Sequence, residues 1–405
     1  MRKLRAFKFR LSPKPKQELL LRRAAGCRRY VFNKGLEIQK ERYEKGGEKL
    51  SYAGLCKELT SWKHQSDSAF LVAAPSQVLQ QALKDLERSY ENFFAGRAGF
   101  PKFKKRGKGD SFRYPDPKQI KLDEINSRMF LPKLGWFRYR KSRKVMGSVR
   151  QVTVSWNGNN WFVSIQTEEE VSAPKHPASS MVGVDLGVVS FAVMSDGSNY
   201  SPVNSFRKRE KQIARCQRRL ARKQKFSANW RRQKERLQKI HTKVANIRRE
   251  YLHKTSTTIS KNHAIVVIED LQVSNMSKSA SGTVEKAGRN VRAKSGLNKS
   301  ILDQGWYEFR RQVEYKQNWR GGAVIAVSPQ YTSQKCSLCQ CVDAESRSVQ
   351  STFSCVQCGY TASADFNAAR NILAAGLAVI ACGGDIRPEA IPAASLKQEP
   401  TVSAV

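Results

Sequence analysis

Apolar and polar residues follow two different periods in the first 170 residues of the chain. Residues 2–11 alternate roughly between basic and apolar side chains, which predicts a strand with one wet, basic face. A helical period then predicts helices over 15–46 and 76–94, the second of them capped by Ser76. Residues 152–165 alternate again around an Asn-Gly pair, which predicts a β-hairpin. The first part of the chain is therefore predicted to be β-structure with a helical insert.

The second part of the chain carries its most uniformly apolar segments. Residues 181–194 and 264–268 are short, β-branched runs that are typical of strands buried on both faces. A helix is predicted over 300–319, a strand over 323–327 and a last helix from about Phe366. Together the two parts predict a multidomain chain of α/β and α+β type.

Three segments show neither period. Residues 171–180 (VSAPKHPASS) predict a linker. Residues 273–298 are rich in Ser, Lys, Gly and Asn and predict a mobile loop, which would act as a lid over a nearby site. Residues 383–405 predict a tail without regular structure.

The charge of the chain points to a polyanionic partner. With 73 Lys plus Arg and 34 Asp plus Glu, the net charge is +39, and residues 206–254 alone hold nineteen Lys or Arg against three Glu. Such a surface predicts binding to DNA or RNA with a steep salt dependence, because each neutralised phosphate releases counterions. The alternative is an RNA-packaging or basic structural protein. Forty percent apolar residues and seven Trp favour folded domains over a basic disordered tail.

Targeting and redox signals predict a cytoplasmic protein. Charges interrupt residues 1–21 every two or three positions, so a signal peptide is not predicted. The longest apolar run, 372–382, is too short to span a bilayer, and no membrane partner is expected. Five of the nine Cys lie between 336 and 358, which favours metal binding in a reducing compartment over a disulfide framework. We expect a prokaryotic cytosolic protein that is nucleoid-associated when bound to DNA.

The strongest local motif is a pair of Cys-x-x-Cys knuckles. Cys336 and Cys339 are separated by fifteen residues from Cys355 and Cys358. Four thiolates at this spacing can meet in a tetrahedron, which predicts one structural Zn²⁺ ion. Coincidental buried cysteine is the alternative, and the paired spacing argues against it. Cys341 is interpreted as a bystander or a substitute ligand.

Three acids stand at the ends of the most apolar elements. Asp185 ends the first buried strand, Glu269 ends the second, and Asp365 stands just before the final helix. Each has a structural alternative: a turn former, a solvent contact at a strand end, and a helix N-cap. Their joint placement in a chain with few acids favours a shared catalytic role.

Three carboxylates that converge at a sheet edge would hold two Mg²⁺ or Mn²⁺ ions. Such a pair activates water and stabilises the leaving oxygen of a phosphodiester. Hard carboxylate oxygens suit Mg²⁺, and substrate phosphate completes its shell. The sequence therefore predicts a metal-dependent nuclease, provided that the three acids meet in space.

A set of motifs follows one order along nearly the whole chain. They are Asn33 with Leu36, 92–94 (NFF), 99–103 (GFPKF), 183–187 (GVDLG), 268–271 (IEDL), 305–309 (GWYEF), 334–339 (QKCSLC), 355–359 (CVQCG) and 365–369 (DFNAA). In this order they closely resemble the TnpB proteins of insertion sequences, which are similar to type V CRISPR effectors. Two positions depart from the family pattern. The knuckle position after Cys339 is usually Gly in that family, and here it is Gln340, followed by Cys341. The two residues before Asp365 are often Asp-Arg in that family and are Ser363-Ala364 here.

The resemblance implies a wedge-like β-barrel with a helical recognition insert, followed by an RNase H-like RuvC nuclease domain with an inserted zinc ribbon. The implied boundaries are 1–14 and 97–175 for the barrel, 15–96 for the insert, 181–328 and 364–382 for the nuclease, and 329–363 for the ribbon.

The resemblance also implies an RNA-guided DNA endonuclease, with guide RNA made from the transposon end and double-stranded target DNA as partners of a single chain. Asp185, Glu269 and Asp365 match the family's catalytic acids, and the four knuckle cysteines match its zinc ligands. Tyr52 and Gln80 fall where the family's insert reads a short duplex motif beside the target. Further expected nucleic-acid contacts are Lys102, Lys104, Lys105, Arg218, Arg219, Arg222, Arg231 and Arg232.

Two other functions remain open on the sequence. A transposase that performs strand transfer would share the three-acid core, whereas a relaxase-type enzyme needs two His one residue apart, which the five His do not provide. An RNA-guided repressor with a silent nuclease site would be marked by the loss of an acid, and all three acids are present.

Overall fold

The computed structural model of the protein describes residues 2–157 and 160–382. These residues form two compact units, and the division falls between Ser172 and Ala173, within the predicted linker. The predicted tail over 383–405 lies outside the described residues.

The first unit combines antiparallel strands with three long helices. Its strands are β1 (Arg2–Arg10), β2 (Ser111–Tyr114), β3 (Lys121–Asp123), β4 (Arg128–Leu131), β5 (Gly135–Arg138), β6 (Ser148–Asn157) and β7 (Asn160–Glu170). Its helices are α1 (Pro15–Glu44), α2 (Tyr52–His64) and α3 (Ser76–Phe94), with a short 3₁₀ helix at Ser66–Ala73. This is the predicted β-structure with a helical insert.

The described strands of this unit do not close into the barrel that the resemblance implied. They form two open sheets, in the orders β1-β7-β6-β2 and β3-β4-β5, joined by an isolated bridge between Leu11 and Tyr139. Apolar side chains of both sheets share one core, into which α1 inserts Leu21 and Ala24. The helix thus covers part of the core that further strand pairing would otherwise cover.

Local predictions in the first unit are confirmed with one correction. The first strand, the helices from Pro15 and to Phe94, and the hairpin of β6 and β7 are all present. The turn residues between Asn157 and Asn160 lie outside the described residues. Ser76 does not cap α3, because Pro75 takes the N-cap position and Ser76 is already helical.

The second unit is built around a five-stranded sheet. Its strands are β8 (Met181–Asp185), β9 (Ala192–Met194), β10 (Asn199–Tyr200), β11 (Ile265–Glu269), β12 (Ala323–Val327), β13 (Thr352–Ser354) and β14 (Thr361–Ser363). Its helices are α4 (Glu210–Ala221), α5 (Ala228–Asn262), α6 (Val273–Met276), α7 (Val291–Gln304), α8 (Trp306–Arg320) and α9 (Ala364–Ala381). The sheet order is β10-β9-β8-β11-β12.

Strand direction in this sheet brings the ends of its central strands together. Strands β8, β11 and β12 are parallel, and β9 and β10 are antiparallel additions at one edge. The uniformly apolar sequences of β8 and β11 agree with burial on both faces. Helices α5 and α8 contribute to the core on one face, and α9 packs on the other.

Three predicted boundaries in the second unit are wrong. The predicted loop over 273–298 contains α6 and the start of α7, whose polar composition hides their helical character. The helix predicted over 300–319 is two helices, because Gly305 takes a left-handed φ of 75° between them. Helix α9 begins at Ala364, so Asp365 lies within its first turn and not before it.

Within the described residues, no helix combines the length and the apolar content that a bilayer crossing requires.

Candidate active site and metal centre

Asp185 and Glu269 lie side by side at the ends of neighbouring parallel strands. Val184 pairs with Ile268 in the register of β8 and β11, and each acid is the next residue of its strand. Because parallel strands end at the same edge of a sheet, the two carboxylates emerge together.

The alternation of side chains along the strands decides the face on which these acids lie. Val184 and Ile268 belong to the core beneath α5 and α8, whereas Val267 packs with Ile372 of α9. Residues two apart share a face of a strand, so Glu269 and Asp185 lie on the α9 side. That side also carries the first turn of α9 and thus Asp365.

Helix α9 approaches the sheet closely because two glycines leave room for it. A Cβ on Gly183 would overlap the Ala369 carbonyl oxygen and lie 2.6 Å from the Leu373 nitrogen. A Cβ on Gly376 would overlap the side chain of Val267. The sequence therefore fixes how far the N-terminus of α9 stands from the strand ends.

The three acids are electrostatically coupled. Burial, together with the negative charges of Glu269 and Asp365, raises the pKa of Asp185 to about 7. The three carboxylates do not form a cluster with all ligand atoms within 4.8 Å of one another, which among the described residues only the four cysteines do. The three carboxylates are therefore close enough to influence the charge of Asp185, but they are less tightly clustered than the four thiols.

Glu269 is held by a side chain that comes from another part of the chain. It is 9% exposed, and Thr332 Oγ1 donates a hydrogen bond of 2.6 Å to its Oε1. Burial raises the pKa of Glu269, and the Thr332 hydrogen bond opposes that rise. The hydroxyl therefore stabilises and orients the charged form of this acid.

Arg347 is a candidate site residue that the sequence did not reveal. It is half-buried in the segment between the two cysteine pairs, and its positive charge lowers the pKa of Asp185. Its Nη2 donates to the Gln350 carbonyl at 3.3 Å. No local sequence pattern points to Arg347, because it lies far from Asp185 along the chain and only folding brings the two charges together.

The four predicted zinc ligands form one compact cluster. All four sulfur atoms lie within 4.8 Å of one another, with Sγ–Sγ distances of 3.7 Å for Cys336 and Cys358 and 3.6 Å for Cys339 and Cys355. Zn–S bonds of about 2.3 Å in a tetrahedron place sulfurs about 3.8 Å apart, so this arrangement fits zinc. Backbone N–H groups of Cys358 and Gln357 lower the pKa of the Cys355 thiol to about 6. Cys341 is outside this group of four.

Both knuckles have the same backbone form despite their different sequences. Gln340 N donates to the Cys336 carbonyl and Gly359 N donates to the Cys355 carbonyl, each at 3.0 Å. Gln340 takes a φ of 66° where Gly359 takes 73°. The departure from the family pattern at Gln340 therefore leaves the turn intact and places a side chain in a conformation that favours glycine.

Two buried asparagines fasten the cysteine-bearing segment to α9. Asn367 accepts from the Ser337 N–H at 2.9 Å and donates to the Lys335 carbonyl at 2.8 Å. Asn371, one turn later, donates to the carbonyls of Thr332 and Lys335 at 2.9 and 2.6 Å. The helix that carries Asp365 thus also holds the loop that carries Thr332.

Tyr52 and Gln80 lie on facing helices of the first unit. Lys84 follows Gln80 by one turn of α3, and its Nζ lies 5.2 Å from the centroid of the Tyr52 ring. Gln80 is exposed and Tyr52 is half-buried. The two residues therefore occupy one neighbourhood, with Gln80 open to solvent.

The predicted basic contacts are exposed, and two groups of them have distinct settings. The side chain of Asn33 bonds both the N–H and the carbonyl of Lys104 and so fixes the backbone at this residue. The Nζ of Lys104 lies 4.7 Å from the centroid of the Phe32 ring. Arg219 and Arg222 line a cavity of about 370 Å³ between α4 and α5. The remaining exposed members are Lys102, Lys105, Arg218, Arg231 and Arg232.

Comparison with known proteins finds three family models along the chain. The IS605 OrfB model, described as a probable transposase, matches residues 164–280. A Cas12f1-like TNB domain model matches 306–372, which include the four cysteines. A helix-turn-helix model matches 1–48, where the structure has β1 and the single uninterrupted helix α1.

Individual relatives match over the full length of the chain. A protein of Escherichia coli strain K12 named "Putative RNA-guided DNA endonuclease InsQ" is 58% identical over 99% of this chain and 98% of its own. A Streptomyces pristinaespiralis protein named "Putative RNA-guided DNA endonuclease" is 33% identical over 98% and 96%. The Cas12f1 endodeoxyribonuclease of Sulfoacidibacillus thermotolerans is 28% identical over 56% of this chain and 52% of its own.

Proposed function

This chain belongs to the TnpB family of insertion-sequence proteins, and we propose that it is an RNA-guided DNA endonuclease that hydrolyses phosphodiesters with the acids of its second unit. The observation that supports the proposal is that Asp185, Glu269 and Asp365 lie on one side of the five-stranded sheet, where the charges of Glu269 and Asp365 raise the pKa of Asp185. Target choice would come from pairing with a guide RNA and from a short flanking DNA motif.

The three acids have the chemistry of a divalent-cation site. Burial and mutual repulsion make the carboxylate form of Asp185 costly, and a cation offsets both terms. Asp185, Glu269 and Asp365 would hold two Mg²⁺ or Mn²⁺ ions, because hard carboxylate oxygens suit these cations and substrate phosphate would complete their shells. When bound, such a pair supplies activation of water and stabilisation of the leaving oxygen.

Two other side chains of the site would orient the carboxylates and offset negative charge. Thr332 holds the Glu269 carboxylate, so that its second oxygen remains available for a ligand. Arg347 brings a positive charge toward Asp185 and is suited to contact a phosphate of the DNA strand. The strand order β10-β9-β8-β11-β12, with its parallel centre, supports the RNase H-like RuvC assignment of this unit.

The four cysteines would hold one structural Zn²⁺ ion and thereby fold the segment that carries Thr332 and Arg347. This segment has a small core of its own, formed by Cys336, Phe353 and Cys355 with Ala364. A sub-domain of that size depends on its metal for stability. The proposed boundary of this zinc ribbon remains 329–363.

The net charge of +39 agrees with one guide RNA and one DNA duplex as partners of the chain. We further propose that residues 15–96 form the recognition insert and that 1–14 and 97–175 form the wedge-like domain. One chain would act with one RNA in the cytosol.

Cleavage by the chain with its co-purified RNA tests this function. Sequencing that RNA defines the target, and a plasmid library with this target beside a randomised flank is incubated with Mg²⁺ or with EDTA. We expect Mg²⁺-dependent linear product from a subset of flanks. Asp185→Asn and Glu269→Gln should abolish the product while DNA binding persists.

A matched control separates the site from general charge loss. Glu250 is an exposed acid on α5 of the same unit, ion-paired with Lys254, and Glu250→Gln should cleave as the wild type does. Tight target binding by the wild type without cleavage would contradict the nuclease proposal and favour the repressor. Joined DNA products would favour strand transfer.

A further inference from the structure

A groove along α1 in the first unit has the features of a site for a single unpaired nucleotide. Its volume is about 460 Å³. Gly26, Tyr30 and Lys34 form one row along the helix, and Arg29, Asn33 and Glu37 form the next. We propose that this groove binds an unpaired ribonucleotide of the guide RNA, with its base on the aromatic rings.

The walls of the groove are aromatic and open to solvent. Phe70, from the 3₁₀ helix Ser66–Ala73, is 49% exposed, and Phe103, from the loop after α3, is 45% exposed. Tyr30 of α1 also lines the groove, and its ring centroid lies 5.2 Å from that of Phe70 in an edge-to-face arrangement. Exposed rings that face one groove are the platforms on which single-stranded bases stack.

The groove is open at Gly26 because this residue lacks a side chain. Gly26 stands in the middle of a thirty-residue helix, where glycine is unfavourable relative to alanine. A Cβ at Gly26 would meet only the Arg29 Nη2 atom, at 3.8 Å. No packing within the unit therefore demands this glycine, and its absent side chain leaves space beside Tyr30.

The polar residues of the groove divide into occupied and available groups. Arg29 is paired with Asp110 at 2.6 Å, and both amide atoms of Asn33 bond the backbone of Lys104. Among the described residues the Lys34 side chain has ring contacts and no ion pair, with its Nζ 5.9 Å from the Tyr30 centroid and 5.8 Å from that of Trp62. Lys34 is thus available for a phosphate.

Glu37 favours RNA over DNA as the occupant. It is exposed, and no hydrogen bond or ion pair within the described residues engages it. A free carboxylate repels phosphate but accepts a hydrogen bond from a ribose hydroxyl, and the 2′-hydroxyl is the group that distinguishes RNA from DNA. A cation, an acid and aromatic rings therefore suit the phosphate, sugar and base of one ribonucleotide.

Binding by the full chain tests the groove separately from cleavage. The chain carries Asp185→Asn to protect the probes, is freed of RNA, and is titrated into fluorescein-labelled oligouridylate or oligodeoxyuridylate of equal length at several salt concentrations. Phe70→Ala with Phe103→Ala should weaken oligouridylate binding about tenfold with an unchanged salt slope. Lys34→Gln should reduce the slope of log K against log salt by about 0.7, because one phosphate contact is lost.

Two further variants test the shape and the sugar preference. Gly26→Leu should weaken binding by filling the groove, and it removes a helix-destabilising glycine, so loss of folding is not expected. Glu37→Gln should lower the ratio of ribo- to deoxyribonucleotide affinity. Tyr43→Ala is the control, since Tyr43 lies on the same helix outside the groove and is 84% exposed.

Each result bears on one proposal only. Unchanged oligouridylate affinity in both the double phenylalanine variant and Gly26→Leu would overturn the groove site, whatever the cleavage assay shows. An unchanged sugar preference in Glu37→Gln would overturn the assignment to RNA. The inference rests on the proposed guide-RNA partner, but groove binding without plasmid cleavage would refute the nuclease proposal and leave the groove in place.

Discussion

The Thr332 hydroxyl donates to the Glu269 carboxylate at 2.6 Å, across sixty-three positions of the chain. Thr332 lies four residues before Cys336, in a loop that Asn371 holds against α9. The cysteine cluster and the acids are therefore joined by a short series of hydrogen bonds. A defect in the metal-binding segment should reach Glu269 through Thr332.

We expect Thr332→Val to lower cleavage and to weaken binding of divalent cations. Valine has nearly the shape of threonine but leaves buried Glu269 without its hydrogen bond, and loss of such an outer contact typically costs 10–100-fold in metal affinity. Calorimetric titration with Mn²⁺ and single-turnover cleavage measure the two effects. Thr332→Ser keeps the hydroxyl and should restore both. Equal Mn²⁺ affinity in Thr332→Val and the wild type would contradict the coupling.

Asn371→Ala should loosen the same loop from the helix side. It leaves the Thr332 carbonyl without its asparagine partner, at a cost of about 1–3 kcal/mol for a buried group. Release of zinc to a colorimetric chelator should be faster, and the effect on cleavage should not add to that of Thr332→Val. Asn318→Ala on α8 is the control. Fully additive effects would show that Asn371 and Thr332 act independently.

Gln340→Gly should stabilise the first knuckle. A side chain in the left-handed region costs about 1–2 kcal/mol, and glycine adopts the observed φ of 66° without that penalty. Zinc release should slow, and the thermal unfolding temperature of the zinc-loaded chain should rise. Gln350→Gly, in the same segment but outside the positive-φ residues, should not stabilise. Faster zinc release in Gln340→Gly would indicate that the glutamine side chain is needed.

Asp185→Asn should stabilise the protein without divalent cations, and more so at higher pH. The folded pKa of Asp185 is about 7, above its ordinary value of 3.8, so folding favours the protonated form. The contribution of Asp185 to wild-type stability is therefore fully present below about pH 4 and is lost as pH rises through 7. Asparagine does not titrate, so Asp185→Asn avoids this loss. The gain in unfolding free energy is at most about 4 kcal/mol, which corresponds to about three pKa units.

Thermal unfolding in EDTA at about pH 5 and about pH 8 measures this effect. The difference between Asp185→Asn and the wild type should widen at the higher pH. Glu250→Gln, which removes an exposed acid, should give a small difference with no such widening. A difference that narrows with rising pH would contradict the raised pKa.

Arg347→Gln should reduce the rate of cleavage more than the affinity for DNA. We expect a charge close to Asp185 to act on the reacting phosphate, whereas target binding should be spread over many basic residues. We expect about a hundredfold lower single-turnover rate, with target affinity within about threefold of the wild type. Arg370→Gln removes an exposed arginine of α9 and serves as the control. Equal losses in rate and affinity would assign Arg347 to general DNA binding.

The acids and cysteines that the sequence predicts have local signals. Asp185 and Glu269 end apolar runs, and the cysteines have a spacing that one ion imposes, so neither required knowledge of the fold. Thr332, Arg347 and Asn371 lack such signals because their partners lie far along the chain. The one available hint was the pair Asn367 and Asn371, two polar residues one turn apart in a mostly apolar helix.

The errors of the sequence prediction have physical causes of the same kind. Helix α7 is rich in polar residues, and its stability comes from packing such as that of Ile301, which composition does not reveal. Barrel closure depends on pairing between edge strands that are distant along the chain, which no local pattern reveals, and the described strands form two open sheets instead.

The contact of α9 with the sheet at Gly183 and Gly376 has a consequence for the evolution of this chain. A single methyl group at Gly183 would meet main-chain atoms, which cannot rotate away as a side chain can. Substitution there would force the whole helix outward and carry Asp365 with it. Lineages that lose either glycine should therefore also drift in their acidic residues, because the selective value of an exact carboxylate position would already be gone.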